Sequence, residues 1–283
     1  MKEVRKKRKK NILRLQVIGL VASGIVVLAI LLFLFLFRIT TVTVEGNIHY
    51  TEDEIKSMVM DGFLSDNSLF LSITKRDVEY EDVPFLTSIQ VQMTGRDSVR
   101  IRVNEKSVIG YVEFEEEYWY FNRDGIVVER CSTPAMTAEE RIAKEESEKL
   151  RSEAEAQGLA SAITAEMTAK NYVPEVRGFS FEKVVLGEQL PVEDDSIFNA
   201  LYSLNQMMNK DNIPADFVLF DEEYNIYLYY GDAEVRLGQD ERLEDKMTTL
   251  AAIMPQLEGM SGILHLENYS TVDTGVVFEK NNS

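Results

Sequence analysis

The side chains best suited to chemistry in this chain are His49, His265 and Cys131, the only histidines and the only cysteine among 283 residues. A zinc centre gathers three or four Cys, His or carboxylate ligands, and two histidines so far apart in sequence form no such spacing. A single cysteine closes no disulfide within the chain. Acyl transfer needs a nucleophile beside a base and a pair of oxyanion donors, and no pattern of that kind stands out among the serines and carboxylates. No glycine-rich loop leads into a helix where phosphate could be cradled. The nearest approach to a cation loop is Asn122-Arg123-Asp124-Gly125. A calcium loop continues through further oxygen ligands to a final Glu, a register that Ile126 to Glu129 does not keep, so Asp124-Gly125 is a turn between β-prone runs. The expectation is a protein without catalytic residue, metal or cofactor, one that works by binding.

The stretch that positions everything else is Val17 to Phe37. It contains no charge, and its one polar side chain is Ser23. Val17, Leu20, Val27, Leu31 and Phe37 mark a run whose length, at about 1.5 Å per residue, matches a hydrocarbon core of roughly 30 Å. Residues 1–14 carry eight bases against the single acid Glu3. Lys and Arg near a span stay on the cytoplasmic side, so the N-terminus is expected inside. A cleaved signal peptide has a shorter apolar core that ends in small residues, whereas this run ends in alternating Leu and Phe before Arg38. The organisation read from this is a basic tail (1–14), a transmembrane helix (15–37) and an extracytoplasmic remainder.

The whole chain has a net charge of −18, and the basic tail leaves the remainder more acidic still. Nucleic-acid binding depends on neutralising phosphates with Lys and Arg, so that partner class is excluded. The exterior opens with alternating Val42 and Val44, a strand. Thr51 three residues before Glu54 forms a capping box, and Ile55, Met58 and Val59 give the helix an apolar stripe. A second short helix is expected near Thr74 to Glu81. Two strands of period two follow, with Ile89, Val91 and Met93 and then Val99, Ile101 and Val103 on one face. The order is β-α-α-β-β.

Those residues resemble the POTRA domain of the FtsQ/DivIB cell-division proteins. The resemblance lies in Thr41 to Asn47 (TVTVEGN), Tyr50-Thr51 with Ile55, Pro84 before a strand, and Val99 to Lys106 (VRIRVNEK). It continues in Tyr120 to Gly125, in Tyr172 to Gly178, and in Leu237-Gly238 followed by Leu243 and Lys246. Two positions depart from the family: Arg96-Asp97-Ser98 stands where a turn proline is usual, and Leu264 to Asn268 lacks the usual Arg and Tyr. The resemblance implies a single-span membrane protein with an α+β exterior. A POTRA domain (38–106) precedes a mixed β-rich domain with two packed helices (107–280), and 281–283 form a short tail. The two helices are a Met-rich stripe from Ile197 to Met208, capped by Asp194 or Asp195, and one from Leu243 that stops at Pro255. Residues 137–170 interrupt the β domain with a charged segment: seven Glu and four Lys or Arg between Glu139 and Gln157. Its pairs at i, i+4 favour an exposed helix.

The resemblance further implies a non-enzymatic divisome scaffold at the septum. Its partners would be the FtsB/DivIC-like and FtsL-like bitopic division proteins, and through them the septal peptidoglycan synthases. The last strand, from Gly275 onward, is expected to leave an open sheet edge for an incoming strand. The candidate partner-binding residues are Ile263, His265 and Glu267 on the neighbouring strand and Val276, Val277, Phe278 and Glu279 on the last. The alternative is a membrane-anchored cell-wall hydrolase or transferase with a POTRA-like appendage, which activity of the exterior on peptidoglycan would favour. A transporter component of the outer-membrane type also uses POTRA domains, but it would need amphipathic membrane strands with aromatic girdles, and residues 172–280 carry too many acids and helices.

Overall fold

The computed structural model describes residues 2–156, 171–239, 241–257, 259–269 and 276–281. Helix α1, Lys2–Leu36, contains the apolar run Gln16–Leu36, with a mean hydropathy of 3.0 and no buried residue in its most apolar window. It is long and apolar enough to cross a membrane. Val17, Leu20, Val27 and Leu31 are exposed along it, while Phe37 lies just past its end and is half-buried.

The chain forms two compact units. The first comprises α1 and the chain to Asn47, together with Thr51–Glu81 and Leu86–Asn104. The second comprises Ile48–Tyr50, Asp82–Phe85 and the chain from Glu105 onward. A single cut at 106/107 therefore does not describe the division, because two short stretches upstream of it belong to the second unit.

The first unit is a four-stranded sheet in the order β1-β4-β3-β2, with two helices. Its strands are β1 (Thr41–Glu45), β2 (Val78–Glu79), β3 (Leu86–Gly95) and β4 (Ser98–Glu105). β1 runs parallel to β4, with Val42 opposite Val99 and Val44 opposite Ile101. Helix α2 (Glu52–Val59) starts at the reciprocal cap of Thr51 and Glu54. It buries Ile55 and Val59, and β4 buries Val99, Ile101 and Val103, the inward set of a period-two strand. The second helix, α3, is not at Thr74 to Glu81 but at Ser68–Thr74. The Asn67 side chain accepts from the Phe70 amide at 3.0 Å and so nucleates it inside the polar loop. The stretch expected to be helical holds the short strand β2 instead. Because β2 pairs only with Ser88 and Ile89, β3 outruns it, and Met93 is partly exposed where Ile89 and Val91 are buried.

The second unit has two sheets. Strands β5 (Gly110–Phe114), β6 (Glu117–Phe121) and β7 (Val127–Cys131) form an antiparallel sheet. The hairpin between β5 and β6 turns on Glu115 and Glu116, both with positive φ. Six strands form the larger sheet, in the order β13-β12-β11-β10-β9-β8. They are β8 (Val176–Arg177), β9 (Phe217–Phe220), β10 (Ile226–Tyr230), β11 (Ala233–Gly238), β12 (Gly262–His265) and β13 (Val277–Lys280). β11 and β12 are parallel, and helix α6 (Leu243–Leu257) makes the crossover between them. Leu201, Leu204 and Met208 of α5 (Ser196–Asp211) join Met247 and Leu250 of α6, and Val218, Leu228, Val235 and Leu264 of the sheet, in one core. The methionines of this stripe are packing residues, as their spacing implies. Helix α6 does not stop at Pro255 but includes it and ends at Leu257. Asp194 rather than Asp195 serves the start of α5, its carboxylate accepting from the Ser196 amide at 2.8 Å.

Of the charged segment, helix α4 (Ala138–Ala156) is described, while 157–170 lie outside the described residues. Its first turn is not a solvated excursion. Thr137 and Ala138 are buried. Thr137 and Glu140 cap each other, and the Ala138 amide donates to the Ile48 carbonyl at 2.7 Å.

Candidate functional site

The residues proposed for partner binding meet at one end of the larger sheet. β13 pairs antiparallel with β12 and is the terminal strand. Opposite each other stand Ile263 and Glu279, Leu264 and Phe278, and His265 and Val277. The Asn281 amide donates to the Ser261 carbonyl at 3.1 Å. In an antiparallel ladder the bonded pairs alternate. Glu279 and Val277 therefore bond to β12, and Phe278 and Lys280 turn their N–H and C=O groups to the open side. Gly262 permits this closeness: a Cβ there would collide with the Glu279 carbonyl oxygen and crowd the Phe278 ring.

The side chains divide by face. Phe278 packs against the core cluster beside buried Leu264. Val277 is 59 % exposed, and Glu279 shares its face with Ile263 and His265. His265 Nδ1 lies 2.7 Å from Glu267 Oε1, and its Nε2 lies 3.6 Å from Glu279 Oε2. The outer face thus offers exposed Val277 and half-buried Ile263 beside a histidine held between two carboxylates. Val276 is half-buried against the core just before β13, and Gly275 lies outside the described residues. Of the pair Val277 and Phe278, only Val277 is placed to contact an incoming strand with its side chain.

His49 is not part of this edge. Its Nδ1 lies 2.6 Å from Glu105 Oε2, with the two side chains 10 % and 3 % exposed, and its ring stacks on Phe85 at 4.0 Å. The Glu105 carboxylate also accepts from the Ile48 amide at 2.7 Å and the His49 amide at 3.1 Å. Arg141 Nη2 donates to the His49 carbonyl at 2.8 Å. Beside them the Glu129 carboxylate accepts from the Phe85 amide at 2.9 Å and from Lys106 Nζ at 2.8 Å. Burial alone would raise the Glu129 carboxyl, but Lys106 and the amides of Phe85 and Arg130 outweigh it and hold it below the ordinary carboxylate value. This knot ties chain segments of the second unit together. Sequence reasoning missed Glu105 and Glu129 as its anchors; the one signal available was an acid at the end of β4 and another in the middle of β7.

Cys131, at the end of β7, is half-buried, and burial pushes its thiol up to about 11, with Glu129 adding to the shift. Such a thiol is a poor nucleophile at neutral pH. Among the described residues no group of three or more His, Cys, Asp or Glu is placed to hold a metal. No family model matches this chain, nor does any curated protein.

Proposed function

We propose that this chain is a single-pass division protein of the FtsQ/DivIB type. In this reading α1 crosses the membrane with the basic tail in the cytoplasm, and the first unit is a POTRA domain. The second unit recruits FtsB/DivIC-like and FtsL-like bitopic partners, and through them the septal peptidoglycan synthases, without catalysing a reaction. The observation that carries it is the outer edge of β13, which among the described residues pairs with no other strand and lies beside exposed Val277. Such an edge is a template for another strand, and β-augmentation draws affinity from main-chain bonds and selectivity from alternate side chains. The β-α-α-β-β order of the first unit, which the described structure extends by the short β2, supports the domain assignment together with the motifs quoted above.

The alternation along β13 makes the test sharp. Lys280→Pro removes an outward N–H and leaves the ladder to β12 intact, whereas Glu279→Pro removes an inward one. Capture of a DivIC-like partner by the full chain, with thermal melting as the control, separates the two. The expected result is that Lys280→Pro keeps the melting transition and loses the partner. A Lys280→Pro variant that binds with unchanged affinity would place the partner elsewhere and remove this reading of the edge.

A further inference from the structure

Phe63 is the most exposed large apolar side chain outside α1, at 86 %. One exposed apolar residue is ordinary on a protein surface; its position gives this one meaning. The loop between α2 and α3 is bonded through its backbone to the end of α1. The Ser68 amide donates to the Phe37 carbonyl at 2.7 Å, and the Ile39 amide donates to the Asp66 carbonyl at 2.7 Å. Arg38 and Asn67 form an antiparallel bridge between these two bonds, and the Asn67 side-chain amide reaches the Phe33 carbonyl at 3.5 Å. All of these contacts lie within the first unit.

Phe37 is the last residue of the apolar run, so the loop is held at the level where that run ends. Phe63 stands three residues before Asp66, within about 11 Å along even a fully extended chain. The chain is shorter than that, because the Asn67 amide returns to the Leu64 carbonyl at 3.0 Å and Leu64 takes a φ of 60°. The interfacial layer outside a hydrocarbon core is roughly 5–8 Å deep on each side. Met60 and Leu64, both half-buried, flank Phe63.

We propose that Phe63, with Met60 and Leu64 beside it, docks the first unit onto the lipid surface of the leaflet from which α1 emerges. The proposal rests on the reading of α1 as a membrane span. The occupant is the acyl boundary of the lipid rather than its head-group charge, since Asp61 and Asp66 flank the tip and would be repelled by an anionic surface. An aromatic ring beside the end of a span acts as an interfacial anchor, and it would set the height of the first unit above the bilayer.

The test uses the full chain in phosphatidylcholine vesicles of two kinds, one carrying lipids brominated near the glycerol end of the acyl chain, which report on the loop, and one carrying lipids brominated near its methyl end, which report on the span. Trp119 is the chain's only tryptophan, so the wild type supplies the background emission. Leu28→Trp reports on the span and Phe63→Trp on the loop. The expected result is that both added tryptophans shift to the blue and lose emission to the bromines, with the Phe63→Trp signal unchanged by salt. Loss at Leu28→Trp without loss at Phe63→Trp would overturn the docking and leave the span standing. No loss at either site would remove the span and the docking together. Loss at Phe63→Trp that disappears in high salt would overturn the apolar contact.

Discussion

At the scale of single residues, His49 and Glu129 carry structure where their chemistry would permit catalysis. A titratable group whose value is depressed in the folded state contributes stability above its unfolded value and loses that contribution as pH falls through the folded one. Glu129 is such a group, held below its ordinary 4.5. Its contribution is therefore present at neutral pH and disappears as the medium is acidified below that value. Glu129→Gln is expected to lower stability at pH 7 by about 1–3 kcal/mol, with the gap to wild type closing in acid; denaturant melts at both pH values check this. His49→Ala should cost a similar 1–3 kcal/mol, because it strips the buried Glu105 carboxylate of one partner and opens a gap beside Phe85. Neither effect was legible in the sequence. His49 and Glu105 stand 56 positions apart, and an acid at the end of a polar-alternating strand looks solvated until the fold brings 48–50 against it.

At the scale of elements, periodicity located β3 and β4 because a half-buried strand has one inward and one outward face, as in β4 with Val99, Ile101 and Val103 buried in alternation, whereas β2 falls in the stretch expected to be helical. It misplaced α3 because a seven-residue helix is too short to show a stripe, and the Asn67 cap alone marked its start. The terminal strand was foreseen in place but not in register. Which of its amides point outward depends on the pairing with β12, and sequence patterning cannot separate Phe278 from Val277 when both are apolar. Gly262 governs that pairing. Gly262→Ala would drive a methyl group into the Glu279 carbonyl, so β13 is expected to detach while the core of α5, α6 and the inner strands stays folded. Hydrogen exchange should show protection lost at Val277, Glu279 and Asn281, whose amides face β12, and retained in β10 and β11, with partner capture abolished.

At the scale of the whole molecule, charge asymmetry about α1 sets the expected orientation. In a Cys131→Ser background, Lys10→Cys should be shielded from impermeant thiol reagents in intact, wall-permeable cells and Asn282→Cys should be labelled. The reverse pattern would invert the protein and move both units to the cytoplasm. The apolar run was legible because an uninterrupted stretch of that length has few alternative uses. The division of the exterior was not, since Ile48–Tyr50 and Asp82–Phe85 lie among residues of the first unit and join the second only through distant partners such as Glu105 and Glu129.

That crossing of the chain constrains biogenesis. A chain synthesised from its N-terminus delivers Ile48–Tyr50 and Asp82–Phe85 long before Glu129 and the first turn of α4 arrive to receive them. The first unit has its four strands, α2 and α3 once about 105 residues have emerged, so it can fold with Ile48 and His49 already met by Glu105 while the Phe85 amide still waits for Glu129. The second unit cannot finish until both ends of its chain are present. A truncated chain ending near residue 125 should accordingly protect α2 and β3 from protease and leave the 82–85 stretch open to cleavage.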